Sequence, residues 1–191
     1  MSFFKRIFGT KEPKVEETVE SKILTDIRED SKSINLDESF NFITDTSTLC
    51  IFDIENLKYK LDDPHLDWWT IPEDEVLELN KGNLIIAALP ADGKYKVCLE
   101  TDFSSNFAHH VSANLSCKSG EVFLGDGAHI TGDGMEPHNW GSHLSGRFLN
   151  LEPGNYKLDL YFFEDYKIAV TFCKNTDVKF NDFITPLQLR D

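Results

Sequence analysis

The residues of this chain best suited to chemistry crowd into the stretch from Gly125 to His143, GDGAHITGDGMEPHNWGSH. His129, Asp133, Glu136, His138 and His143 offer imidazole nitrogens and carboxylate oxygens there, and a transition-metal site needs about three such donors. Glycines on either side free the backbone to approach a ligand closely. A divalent metal or a small polar ligand is therefore one reading of the segment. The spacing fits no established ligand loop, however. Asp126 and Asp133 are too far apart for an EF-hand loop, and the chain contains no pair of histidines separated by one residue. The structural reading is favoured: each Gly-Asp-Gly turns the chain between strands, with aspartate satisfying local amides and glycine taking the left-handed conformation. His109 and His110 are adjacent, so on a strand they face opposite ways and at most one can join such a site.

A second cluster runs from Leu61 to Glu75, LDDPHLDWWTIPEDE. Asp62, Asp63, His65, Asp67, Trp68 and Trp69 combine carboxylates with large aromatic rings. Such a set suits an interface in which rings fill pockets and acids meet lysine or arginine. Against it stands a core reading, in which one tryptophan is buried and its neighbour lies over the rim because adjacent strand residues face opposite ways. The acidic surround makes this segment the preferred partner-binding patch.

Other chemistries find little support. Ser142, His143 and Ser145 lie close in sequence, but GSHLSG is not a nucleophile elbow. The chain has no phosphate loop, dinucleotide fingerprint or zinc-finger spacing. No catalytic residue is assigned and no organic cofactor is expected.

The 191 residues carry 19 lysines and arginines against 33 aspartates and glutamates, a formal charge of −14. Such a surface repels phosphate backbones and argues against nucleic-acid binding, while favouring basic protein partners or divalent cations. Cys50, Cys98, Cys117 and Cys173 form no CxxC pair, and Cys50, Cys98 and Cys173 lie in apolar runs, so all four read as reduced, with structural roles. The start MSFFKRIFG lacks the apolar core of a signal peptide, and no apolar run approaches 20 residues. A cytoplasmic protein without a transmembrane segment is expected.

The elements that must position these residues are mostly strands. Residues 1–39 read as a charged tail with a short amphipathic start (Phe3, Phe4, Ile7, Phe8) and one weak helical pattern from Val19 to Ile27. Residues 40–191 read as a single β-rich domain. Thr48 to Asp53 and Leu84 to Leu89 are continuous apolar runs suited to buried strands, and Lys94 to Glu100 alternates. Further strands are expected at His109 to Cys117, Glu121 to Leu124, Arg147 to Leu151, Tyr156 to Phe163 and Lys167 to Cys173. Pro72 to Leu79 opens like a helix, with proline and acids, although VLELN also alternates as a strand would. Strands joined by short turns indicate an all-β domain, an antiparallel β-sandwich or flattened barrel.

In their acidic charge, in the leaderless start expected of the chain and in the segment LDDPHLDWW, residues 40–191 resemble the small acidic bacterial immunity proteins of toxin systems. The resemblance implies binding to a cognate toxin and blocking of its active surface, and it assigns no residue. An acidic protein-interaction domain with a basic partner is the leading expectation. A metal- or ligand-binding sandwich with enzymatic activity, built on Gly125 to His143, is the alternative. A carbohydrate-binding module using exposed aromatics such as Trp140 is a third.

Overall fold

A computed structural model describes residues 38–65, 67–100, 107–177 and 180–190. The phenylalanine-rich start and the helical pattern from Val19 to Ile27 lie outside the described residues. Among these residues ten strands form two five-stranded sheets. The first contains β1 (Ser39–Thr44), β4 (Gly93–Leu99), β5 (His109–Cys117), β8 (Gly154–Phe163) and β9 (Lys167–Asn175), in the order β1-β4-β9-β8-β5. The second contains β2 (Thr48–Asp53), β3 (Leu84–Ala88), β6 (Glu121–Asp126), β7 (Gly146–Asn150) and β10 (Leu187–Gln188), in the order β10-β3-β2-β6-β7. Neighbours are antiparallel except β4 with β9 and β10 with β3. The all-β sandwich is as expected, with those two parallel pairs making both sheets mixed.

The inner faces of both sheets build one core. Leu49 and Ile51 of β2, Ile85 and Ala87 of β3, and Val122 and Leu124 of β6 meet Tyr95, Val97, Leu115, Leu158, Leu160 and Val170 of the first sheet. The alternate residues of the second sheet, Cys50, Phe52, Leu84, Ile86 and Phe123, are equally buried, in a second apolar cluster with Ile54, Leu57, Trp68 and Ile130. Both faces of β2, β3 and β6 are therefore covered, which is why their sequences read as unbroken apolar runs instead of alternating.

A layer of non-strand chain supplies the outer cover. It consists of residues 54–80 and residues 127–145. The first stretch holds helix α1 (Ile54–Leu57), a 3-10 turn at Trp68–Thr70 and helix α2 (Pro72–Asn80). Of the two readings open for Pro72 to Leu79 the helix is correct: proline occupies its first turn beside Glu73, Asp74 and Glu75, whose charges suit the positive end of the helix dipole. The second stretch holds 3-10 turns at Gly127–His129 and Pro137–His143.

One buried carboxylate anchors the layer to its sheet. Asp53, at the end of β2, caps α1 by accepting from the Glu55 amide at 2.9 Å. It also accepts from the Ser119 amide at 2.7 Å, the Ser119 hydroxyl at 2.8 Å and the Gly120 amide at 3.1 Å. A carboxylate fully removed from water is tolerated because these donors replace its hydration.

Cysteine placement differs in part from expectation. All four are free, but Cys173 is exposed and Cys98 is only partly covered, whereas Cys117, outside the apolar runs, is buried. Burial, then the Asp53 carboxylate beside it, pushes the Cys117 thiol up to about 12. Burial likewise raises Cys50. Both remain protonated and unreactive at neutral pH.

Candidate functional site

The two segments singled out in the sequence lie side by side in the layer over the second sheet. The Trp68 indole N–H donates to the Thr131 carbonyl at 2.8 Å, the Thr131 hydroxyl donates to the Leu57 carbonyl at 3.3 Å, and the Gly134 amide donates to the Leu61 carbonyl at 2.6 Å. The acidic tryptophan segment and the glycine-histidine segment thus make one surface.

Within it the glycines work in two ways. Gly132-Asp133-Gly134 is a tight turn closed by hydrogen bonds in both directions between Gly132 and Met135, with Asp133 at φ 48° and Gly134 at φ 71°. That agrees with the turn reading. Gly125-Asp126-Gly127 is not a turn of this kind. Gly125 and Asp126 belong to β6, and a Cβ on Gly125 would stand 2.3 Å from the Ser145 carbonyl oxygen, so glycine is required by close approach. Asp126 is buried and accepts from the Thr46 hydroxyl at 2.8 Å.

The five candidate metal donors are not gathered. His129 is 3% exposed, and its Nε2 accepts the Ser145 amide at 2.8 Å. Its neutral ring therefore carries the proton on Nδ1, which has no hydrogen-bond partner among the described residues. Burial lowers its pKa, against the opposing pull of Asp126 and Asp45. Phe123 and Trp140 pack edge-on to the ring, with Trp140 at 4.5 Å. His138 stacks on Phe148 at 4.3 Å and meets Glu121 at 3.0 Å. Asp133 is at the exposed turn, Glu136 precedes the second 3-10 stretch and His143 is exposed. Among the described residues no three histidine, cysteine, aspartate or glutamate side chains converge on a metal position. His109 and His110 do face opposite ways, toward Phe162 and Tyr161, and both lie on the first sheet, away from this segment.

The six candidate partner-binding residues divide. Trp68 is fully buried, so it supports the surface from below and contacts no partner, a correction to its expected role. The core reading anticipated one buried and one rim tryptophan but assumed a strand. The pair occupies a 3-10 turn instead, which sends Trp68 inward and leaves Trp69 half-buried. Asp63 takes Lys60 Nζ at 2.9 Å, a bond that holds its carboxyl below the usual range, and the same ammonium lies 4.4 Å from the Trp68 ring centroid. Asp62, His65 and Asp67 are exposed.

Sequence reasoning missed the rest of the surface. Residues 54–80 and 127–145 carry ten acids against two lysines, a balance of −8 within the chain's −14. Glu55 and Glu78 pair with Lys58 and Lys81. Burial would raise the Glu78 carboxyl, but bonds from Lys81, Tyr59 and Asn83 outweigh it and hold it below the usual range. Asp62, Asp67 and Glu73 are exposed and make no ion pair among the described residues. The half-buried Glu75 side chain makes no hydrogen bond or ion pair among the described residues, and burial alone pushes its carboxyl up to about 7. Tyr59, Ile71, Leu77 and Met135 stand exposed in the same layer. Ile71 and Leu77, beside the double tryptophan and on α2, were the readable signal.

The second sheet with its acidic cap defines the class: a two-sheet sandwich presenting an acidic surface with apolar side chains set into it. The chain belongs to a family of unknown function, DUF6386, which matches residues 36–189. No curated protein matches it. Among solved structures it is similar to ComJ from Bacillus subtilis, an inhibitor of the DNA-degrading activity of NucA. The identity is 10%, with a TM-score of 0.44, over 72% of this chain and 96% of that one. It is also similar to a protein named Crocagin biosynthetic gene J, at 13% identity and a TM-score of 0.47, over 72% of this chain and 95% of that one. No described helix is long and apolar enough to cross a membrane.

Proposed function

We propose that the domain is a protein-interaction module of the inhibitor or immunity type, acting in the cytoplasm and binding a basic protein through the layer formed by residues 54–80 and 127–145. The observation that carries this reading is the concentration there of −8 of the chain's charge around exposed apolar side chains. An apolar centre within a charged rim is the usual anatomy of a protein interface.

The parts divide the work. Asp62, Asp67 and Glu73, exposed and without an ion pair among the described residues, steer a cationic partner and suppress acidic ones, an effect that weakens as salt rises. Trp69, Ile71 and Leu77 supply the apolar contact that holds the complex once formed. Trp68 and Thr131 keep the two segments in register beneath. Inhibition requires no chemistry from this chain, since covering a basic enzyme's active surface excludes its substrate.

The test is affinity capture from the native cell extract with the wild-type domain and with the triple variant Asp62→Lys/Asp67→Lys/Glu73→Lys. The wild type is expected to retain a basic protein that the folded variant does not. Retention of the same protein by both would sink the reading.

A further inference from the structure

At one end of the first sheet, a groove of about 430 Å³ is lined, among the described residues, by Phe107, Ala108, Phe163, Glu164 and Asp165. Phe163 ends β8, and the turn that follows, Glu164 to Tyr166, leads into β9. Phe107 is 43% exposed, and its ring packs against Tyr161 at 5.0 Å and His110 at 5.6 Å, tilted to both. Tyr161 and His110 stack on each other at 4.5 Å, and Asp159 holds the imidazole at 3.1 Å, so the aromatic support is itself fixed.

Two features make the groove more than an apolar dent. Glu164 and Asp165 are exposed at its rim and have no ion pair among the described residues. The Phe163 ring also already takes a cation, with Lys167 Nζ 5.1 Å from its centroid. An aromatic wall beside exposed carboxylates is matched by a flat cation on an apolar stem. A guanidinium stacks on the ring while its N–H fork meets a carboxylate, and it gives up its hydration more easily than an ammonium.

We propose that this groove binds an arginine side chain of a basic protein, stacked against Phe107 with its N–H groups on Glu164 and Asp165. The groove is on the first sheet, outside the acidic layer, so its fate in the test is separate from that of the proposed function.

The test is a chemical-shift titration of the whole chain with N-acetyl-L-arginine amide, with the citrulline analogue as the uncharged control of the same shape. Saturable shifts centred on Phe107, Ala108 and Phe163 are expected, with citrulline binding weaker by about fivefold or more. Phe107→Leu and Asp165→Asn, both at exposed positions, should each weaken arginine binding while leaving shifts elsewhere unchanged. Equal binding of citrulline, shifts confined to residues 54–80, or undiminished binding by both variants would each overturn the proposal.

Discussion

The Trp68 indole N–H donates to the Thr131 carbonyl at 2.8 Å across 63 positions of sequence, and through that bond the two most chemically distinctive segments of the chain become one surface. Trp68 is also among the largest fully buried side chains, packed with Phe52, Leu57 and Ile130. It serves as the keel of the acidic layer.

Removing that keel should be costly. Trp68→Ala is expected to lower unfolding free energy by about 3 to 5 kcal/mol, through lost burial and the cavity left behind. Trp68→Phe, which keeps most of the apolar volume but orphans the Thr131 carbonyl, should cost about 1 to 3 kcal/mol. Urea denaturation measures both. A Trp68→Ala variant as stable as wild type would mean that the layer is not packed as described.

Asp53 makes a second structural prediction. Its carboxylate accepts from Glu55, Ser119 and Gly120 amides and the Ser119 hydroxyl while fully buried. Asp53→Ala leaves these donors without an acceptor and uncaps α1, so a loss of about 3 kcal/mol or more is expected. Hydrogen exchange should show the loss first at residues 54–57 and 119–120.

Much of this fold was legible because local pattern and tertiary role agree. β2, β3 and β6 read as apolar runs since both faces are covered, and β5 and β8 matched since their outer faces carry Ser112, Asn114, Lys157 and Asp159. β10, only Leu187–Gln188, gave no pattern, being held by its parallel pairing with β3. The candidate site was legible only in halves. That Leu61 to Glu75 abuts Thr131 to Met135 depends on contacts between distant segments and leaves no local trace. The core reading had one of the two tryptophans buried, but placing Trp68 among the partner-contacting residues failed because a 3-10 turn, not a strand, sets which ring points inward. The first Gly-Asp-Gly was misjudged because Gly125 answers to the backbone of Ser145 and Gly146, distant in sequence, and Gly127 to the side chain of Thr48.

His129 ties stability to pH. Burial lowers its folded pKa below the unfolded value near 6.5, so its contribution is fully present above that value and is lost as pH falls through the folded one. Protonation would also set a donor against the Ser145 amide. Unfolding midpoints measured from pH 8 to pH 5 should fall for wild type more steeply than for His129→Gln. Parallel curves would contradict this.

Glu75 acts with the opposite sign. Its folded pKa, pushed up to about 7, lies above the unfolded value, so stability is fully present below the unfolded value and is lost as pH rises through about 7. Glu75→Gln should therefore raise the melting temperature at pH 8 and change little at acidic pH. A variant indistinguishable from wild type at pH 8 would show that the carboxyl is not desolvated.

The most direct measurement is the salt dependence of partner retention by the immobilised wild-type domain, run beside the Asp62→Lys/Asp67→Lys/Glu73→Lys variant. A basic protein should be held by wild type at low ionic strength, should elute progressively between about 50 mM and about 500 mM salt, and should not be retained by the equally folded variant. Retention of that protein by both forms, or release from wild type that does not depend on salt, would contradict an acidic interaction surface.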